Sequence, residues 1–207
     1  MKTRFALVSL ALLAASCKTQ NERSDLVINK VVPATASVVG TAPSQSLNCV
    51  FDIAAAEYTP GLPYNPAEST GVVGAVIQNR MLDNSVINPE FRLDTNTFLP
   101  HQAVINYEVI PSSAGAAPPQ NVVPAGGNTI PTSGTGVVGV EMFRGLAIAL
   151  PAGTFVRTTF HLEGKLLDGS TVKTADREYL FQVCNVPGCS LGGIWTIDVN
   201  GAPASCL

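Results

Sequence analysis

The chain has 207 residues, with 12 Lys and Arg against 15 Asp and Glu, a formal net charge of −3 and 13% charged residues. No basic stripe is present and the charges are scattered singly, as on a solvated exterior, which excludes a nucleic-acid surface. With 18 Gly, 15 Pro, abundant Val and Thr and little Lys or Glu, the composition is not that of a helical protein, and an all-β fold is expected.

Lys2 and Arg4 precede "FALVSLALLAA", Phe5 to Ala15. This is a basic n-region followed by an apolar run within the 7–15 residues of a secretory signal, well short of the roughly 20 needed to span a bilayer. The run ends on Ala14, Ala15 and Ser16, followed directly by Cys17.

The seam "LLAASC" resembles the lipobox of bacterial lipoproteins. It departs from the preferred pattern by carrying Ala14 where Leu is usual. The resemblance implies a signal peptide over residues 1–16 and acylation of Cys17, palmitate included. It further implies a membrane anchor, outer rather than inner, because Lys18 and not Asp follows the cysteine. Removing Met1 to Ser16 takes the 12 basic residues to 10 against 15 acidic ones, moving the formal charge from −3 to −5.

Residues 17–25 read as a polar tether. "KTQNERSD", Lys18 to Asp25, reaches at most about 26–29 Å when fully extended. Residues 26–207 then read as one β-sandwich domain of ordinary size. "LVINKVVPA" and "LNCVFDIAA" are short β-rich runs, separated by a Pro/Ser/Thr-rich link from Pro33 to Ser46.

"GVVGAVIQNRML", Gly71 to Leu82, is apolar on both parities, as in a strand covered on both faces. In "HQAVINYEV", Ala103, Ile105, Tyr107 and Val109 share one face, and Asn106 and Glu108 the other. Pro111 to Gly136 is almost free of charge and large side chains, and is expected to be a long flexible Pro/Gly-rich excursion. "GVVGVEM" and "GLAIALPAG" are expected to return the chain to the sheet.

The strongest periodicity lies in "TFVRTTFHLEGKLLDGSTVKTADREYLFQVC". Val156, Thr158, Phe160 and Leu162 alternate with Arg157, Thr159, His161 and Glu163, so one face is core and the other water. Asp168 and Gly169 mark a turn and Val172, Tyr179, Phe181 and Val183 resume the pattern, predicting a long antiparallel hairpin. Eight or nine such strands predict a two-sheet antiparallel Greek-key sandwich of immunoglobulin-like architecture. The Cys, Trp and Tyr spacing of antibody domains is absent, with Trp195 near the C-terminus.

With Cys17 assigned to lipid, Cys49, Cys184, Cys189 and Cys206 remain, an even set that predicts two disulfides in one of three connectivities. Joining Cys206 to Cys184 or Cys189 would staple the segment of Trp195, Ile197 and Val199 to the hairpin. A loop of that size is worth about 3 kcal/mol. The competing Cys₄ zinc site has one close pair, "CNVPGC", and no supporting histidine.

Neither "DTNT" at Asp94 nor "DVNG" at Asp198 extends into a full calcium loop. No metal or cofactor is therefore expected. The two histidines are His101, at a strand start, and His161, two residues from Glu163 on a polar strand face. No nucleophile elbow, zinc-protease motif, P-loop or dinucleotide fingerprint occurs, and no catalytic residue is assigned.

The lipobox-like start, "LNCVFD", "VIQNRM", "FHLEGKLLDGSTVKTADREYLFQVC" and the closing cysteines together resemble predicted lipoproteins of myxobacterial type. That resemblance implies a compartment and a sandwich fold, and carries no activity. The expected function is that of a lipid-anchored, non-enzymatic binding or structural module. It would meet the membrane through its anchor and an unknown envelope protein or polymer through its loops. The alternative is a cell-surface hydrolase or carbohydrate-binding module.

Overall fold

The computed structural model describes residues 25–39, 46–57, 61–67, 71–82, 95–127, 129–186, 189, 195–197 and 203–206. At 34–39, 46–50, 127, 195–197 and 203–206 it describes the backbone alone. The fold is all-β. Its strands are β1 (Leu26–Val39), β2 (Ser46–Phe51), β3 (Leu62–Tyr64), β4 (Val72–Asn79), β5 (Phe98–Ile110), β6 (Asn121–Gly127), β7 (Thr135–Glu141), β8 (Phe155–Leu166), β9 (Thr171–Lys173), β10 (Arg177–Val183), β11 (Trp195–Ile197) and β12 (Pro203–Cys206).

The principal sheet runs β2-β1-β4-β7-β6-β5-β8-β10-β3, with β9 also on β8, while β11 and β12 form a separate hairpin. Long strands change partner along their length. β1 pairs with β4 over Leu26–Pro33 and with β2 over Ala34–Val39. β6 pairs with β5 up to Pro124 and with β7 from Ala125 onward.

These handovers curl the sheet so that its two arms close on one core. Leu26, Ile77, Val138 and Val140 come from one arm, and Phe98, Ile105, Phe160 and Phe181 from the other. The Ala175 amide donates to the Leu26 carbonyl oxygen at 3.2 Å, tying the arms near one end.

The alternation in β8 has its expected consequence. Val156, Thr158, Phe160 and Leu162 are fully buried, and the intervening residues are part-exposed. β4 is buried on both parities, and Ala103, Ile105 and Val109 of β5 face the core. The hairpin turns through Asp168 and Gly169. Gly169 adopts φ +86°, its amide reaches the Leu166 carbonyl at 2.9 Å, and Asp168 accepts from the Ser170 amide at 2.8 Å.

Four expectations are corrected. The sheet is mixed rather than wholly antiparallel, because β3 runs parallel to β10. The segment 111–136 is not one long excursion: a 3₁₀ turn at Ser112–Ala114 and strand β6 lie within it, and Val123 and Ala125 are buried. Pro33–Ser46 is likewise no simple link, since β1 continues to Val39. Conversely, residues 145–153 form a loop and no strand, although Leu150 is buried.

Candidate functional site

Outward parity on β8 leaves His161 only 14% exposed between two carboxylates. Its Nδ1 lies 2.8 Å from Asp176 Oδ1 and its Nε2 3.5 Å from Glu163 Oε1. Glu163 Oε2 accepts from Gln102 Nε2 at 2.7 Å. The network joins β8 to β5 and to the link between β9 and β10. That link is held in place by Thr174, whose amide donates to the Leu162 carbonyl (2.9 Å) while its Oγ1 accepts from the Leu162 amide (3.0 Å).

The polar strand face read for His161 is there, but the ring is largely covered and not solvated. Asp176 went unread because it stands in an irregular link where no periodicity assigns it a face.

An Asp–His pair orients a general base when the second ring nitrogen faces a nucleophile. Here that nitrogen faces Glu163. A doubly protonated ring donates to both carboxylates; a neutral ring serves one of them. The arrangement is a cross-strand polar clamp on the outer face of the sheet. His101 lies elsewhere, exposed at a bulge where β5 slips register between Pro100 and Gln102.

The opposite end of the sheet carries an aromatic corner. Phe143 is stacked on Tyr64 with ring centroids 4.2 Å apart, and meets Phe181 edge-on at 5.0 Å. The Tyr107 hydroxyl donates to the Met142 carbonyl. Burial pushes the Tyr107 phenol up to about 12, and burial first, then the nearby Tyr107, raises that of Tyr64. The Asn121 amide donates to the Arg144 carbonyl at 2.9 Å, while Arg144 lies 3.2 Å from the buried Glu141 carboxylate. Beside this corner, Ala116 to Pro118 and Ala147 to Leu150 line an open depression of about 330 Å³, its surface shared between apolar side chains and polar backbone.

Cys184 and Cys189 form a disulfide, with their Cα atoms 6.4 Å apart. The Cys184 amide donates to the Tyr64 carbonyl (2.9 Å) and the Cys189 amide to the Val186 carbonyl (3.2 Å), so a short reversal brings the pair together. This overturns the expected pairing of Cys206 with either of them, and removes two thiolates from any Cys₄ zinc site. The side chains of Cys49 and Cys206, and all of Cys17, Asp94 and Asp198, lie outside the described residues. Among the described residues, no three His, Cys, Asp or Glu side chains are grouped to hold a metal ion.

Tyr64, Phe98, Phe143, Phe160, Tyr179 and Phe181 are all buried, so these rings offer no outer platform for stacking a sugar. Compared with protein-family models, curated proteins and solved structures, the chain finds no match.

Proposed function

We propose that the chain is a lipid-anchored envelope protein, held in the outer membrane through Cys17 and acting as a non-enzymatic binding or structural module. The observation that carries this reading is the polarity of the fold. Leu26, the first strand residue after the tether, pairs with Asn79 at one end of the sheet. The depression and the aromatic corner lie at the other, beyond the Ile110 end of β5. β4 runs from Asn79, beside Leu26, to Val72, beside Glu141, and Phe143 packs on Gly71, so the aromatic corner stands roughly 25 Å from the tether end. A rigid sheet raising loops away from an anchor suits contact with an envelope protein or polymer.

Two sheet arms facing one another across a shared core support reading the architecture as an immunoglobulin-like sandwich whose halves are joined through β6. The clamp around His161 supports the non-enzymatic reading, because Nδ1 is hydrogen-bonded to Asp176 and Nε2 faces Glu163, a carboxylate of the same chain, 3.5 Å away. A cell-surface hydrolase is the second reading, and it draws on the Asp176–His161 pair alone.

Cys17→Ala tests the anchor. The variant is expected to lose lipid label and membrane retention, and unchanged labelling and retention would overturn the reading. Crosslinking in intact envelopes then identifies what the loops touch.

A further inference from the structure

We propose that Cys49 and Cys206 form a second disulfide, fastening the C-terminal hairpin to the outer edge of the principal sheet. The inference rests on the export reading for its oxidising compartment, and on backbone placement for its connectivity. Cys184 and Cys189 are spent on each other. Once Cys17 is acylated, two cysteines remain in the mature chain.

Cys49 lies on β2, opposite Ala36 of β1, and β2 is the last strand of the principal sheet on that side. Cys206 lies on β12, opposite Trp195 of β11. The two elements are neighbours: β12 runs alongside β2, while β11 approaches β7.

Physical need points the same way. β11 and β12 have 3 and 4 residues, and an isolated two-stranded hairpin is marginal in water. An uncovered outer strand such as β2 presents unpaired backbone groups to other chains unless something shields it. One covalent link answers both, holding the hairpin and keeping it over the edge. Because it joins residues far apart in sequence, it also closes a large loop, for which the constraint on the unfolded chain is greatest.

The chemistry balances by thiol–disulfide exchange. One cysteine thiolate attacks the disulfide of a dithiol oxidant of the compartment, giving a mixed disulfide. The second thiolate displaces the oxidant sulfur. Two protons leave the cysteines, and two electrons pass to the oxidant, which departs as its dithiol.

The test uses the full chain from its native envelope, alkylated without reduction and cut with trypsin and then before aspartates. Cys49 falls in residues 31–51, Cys184 and Cys189 in 178–197, and Cys206 in 198–207. The expected result is residues 31–51 linked to 198–207, with 178–197 lighter by two hydrogens. Alkylated Cys49 and Cys206 beside an intact Cys184–Cys189 bridge would overturn the second bridge alone. Four alkylated thiols would overturn the bridge and the export reading together.

Melting of Cys49→Ser, Cys206→Ser and the double variant adds a check that does not depend on digestion. A bridge predicts the same fall of about 5–10 °C in all three. Additive falls would show two independent thiols.

Discussion

Gly164 of β8 sits against the bulge of β5, where an added Cβ would lie 2.1 Å from the Leu99 carbonyl oxygen and 2.7 Å from the Phe98 ring. Backbone cannot swing aside as a side chain can, so Gly164→Ala is expected to cost about 1–3 kcal/mol. Urea unfolding measures it, and a loss below about 0.5 kcal/mol would show that the strands part there without strain.

Tyr107 and Tyr64 carry the pH dependence. Burial favours the neutral phenol, so their folded values stand above the ordinary 10.0, with Tyr107 at about 12. Their contribution is complete below pH 10; that of Tyr107 is lost as pH rises through 12, and that of Tyr64, raised further, is lost later still. Tyr107→Phe is expected to cost about 0.5–1.5 kcal/mol at neutral pH, from the lost bond to Met142, and to make the alkaline decline shallower. Denaturant midpoints from pH 8 to 12 decide this, and an unchanged alkaline profile would contradict the buried phenol. The bulge beside Gly164 left no trace in the sequence, because a glycine in a strand announces close approach without naming what approaches.

β8 is the best-specified element, and its register can be tested by neighbours in sequence. Phe160 is fully buried while the adjacent Thr159 is part-exposed. Phe160→Ala is expected to cost about 3–5 kcal/mol, and Thr159→Ala no more than about 0.5 kcal/mol. Similar costs in equilibrium unfolding would place the strand differently.

β8 and β4 were legible because each obeys one simple rule, alternation in the first and apolar residues on both parities in the second. β6 was not. Asn121, Pro124, Gly126 and Gly127 read as loop punctuation, and are accommodated here because the strand changes partner at Pro124 and Ala125. The reverse error fell on 145–153, whose apolar residues line a depression and fill one core position without joining a ladder.

At the scale of the molecule, both arms of the sheet contribute to one contiguous core among the described residues. Unfolding is therefore expected as a single transition, with tyrosine fluorescence and far-UV dichroism superimposed. Separate midpoints would show two independent units.

By itself the sequence determined the all-β class, the faces of the regular strands, the hairpin turn at Asp168 and Gly169, and the shared polar face of His161 and Glu163. All of these are local matters of side-chain period and turn chemistry. Only the tertiary structure decided that β3 lies parallel to β10, that β6 carries the sheet from one arm to the other, that Asp176 completes the clamp on His161, and that Cys184 takes Cys189 as its partner. Each of these depends on which distant segments meet. A period along one strand cannot encode that meeting, because any strand with a suitable apolar face can satisfy it.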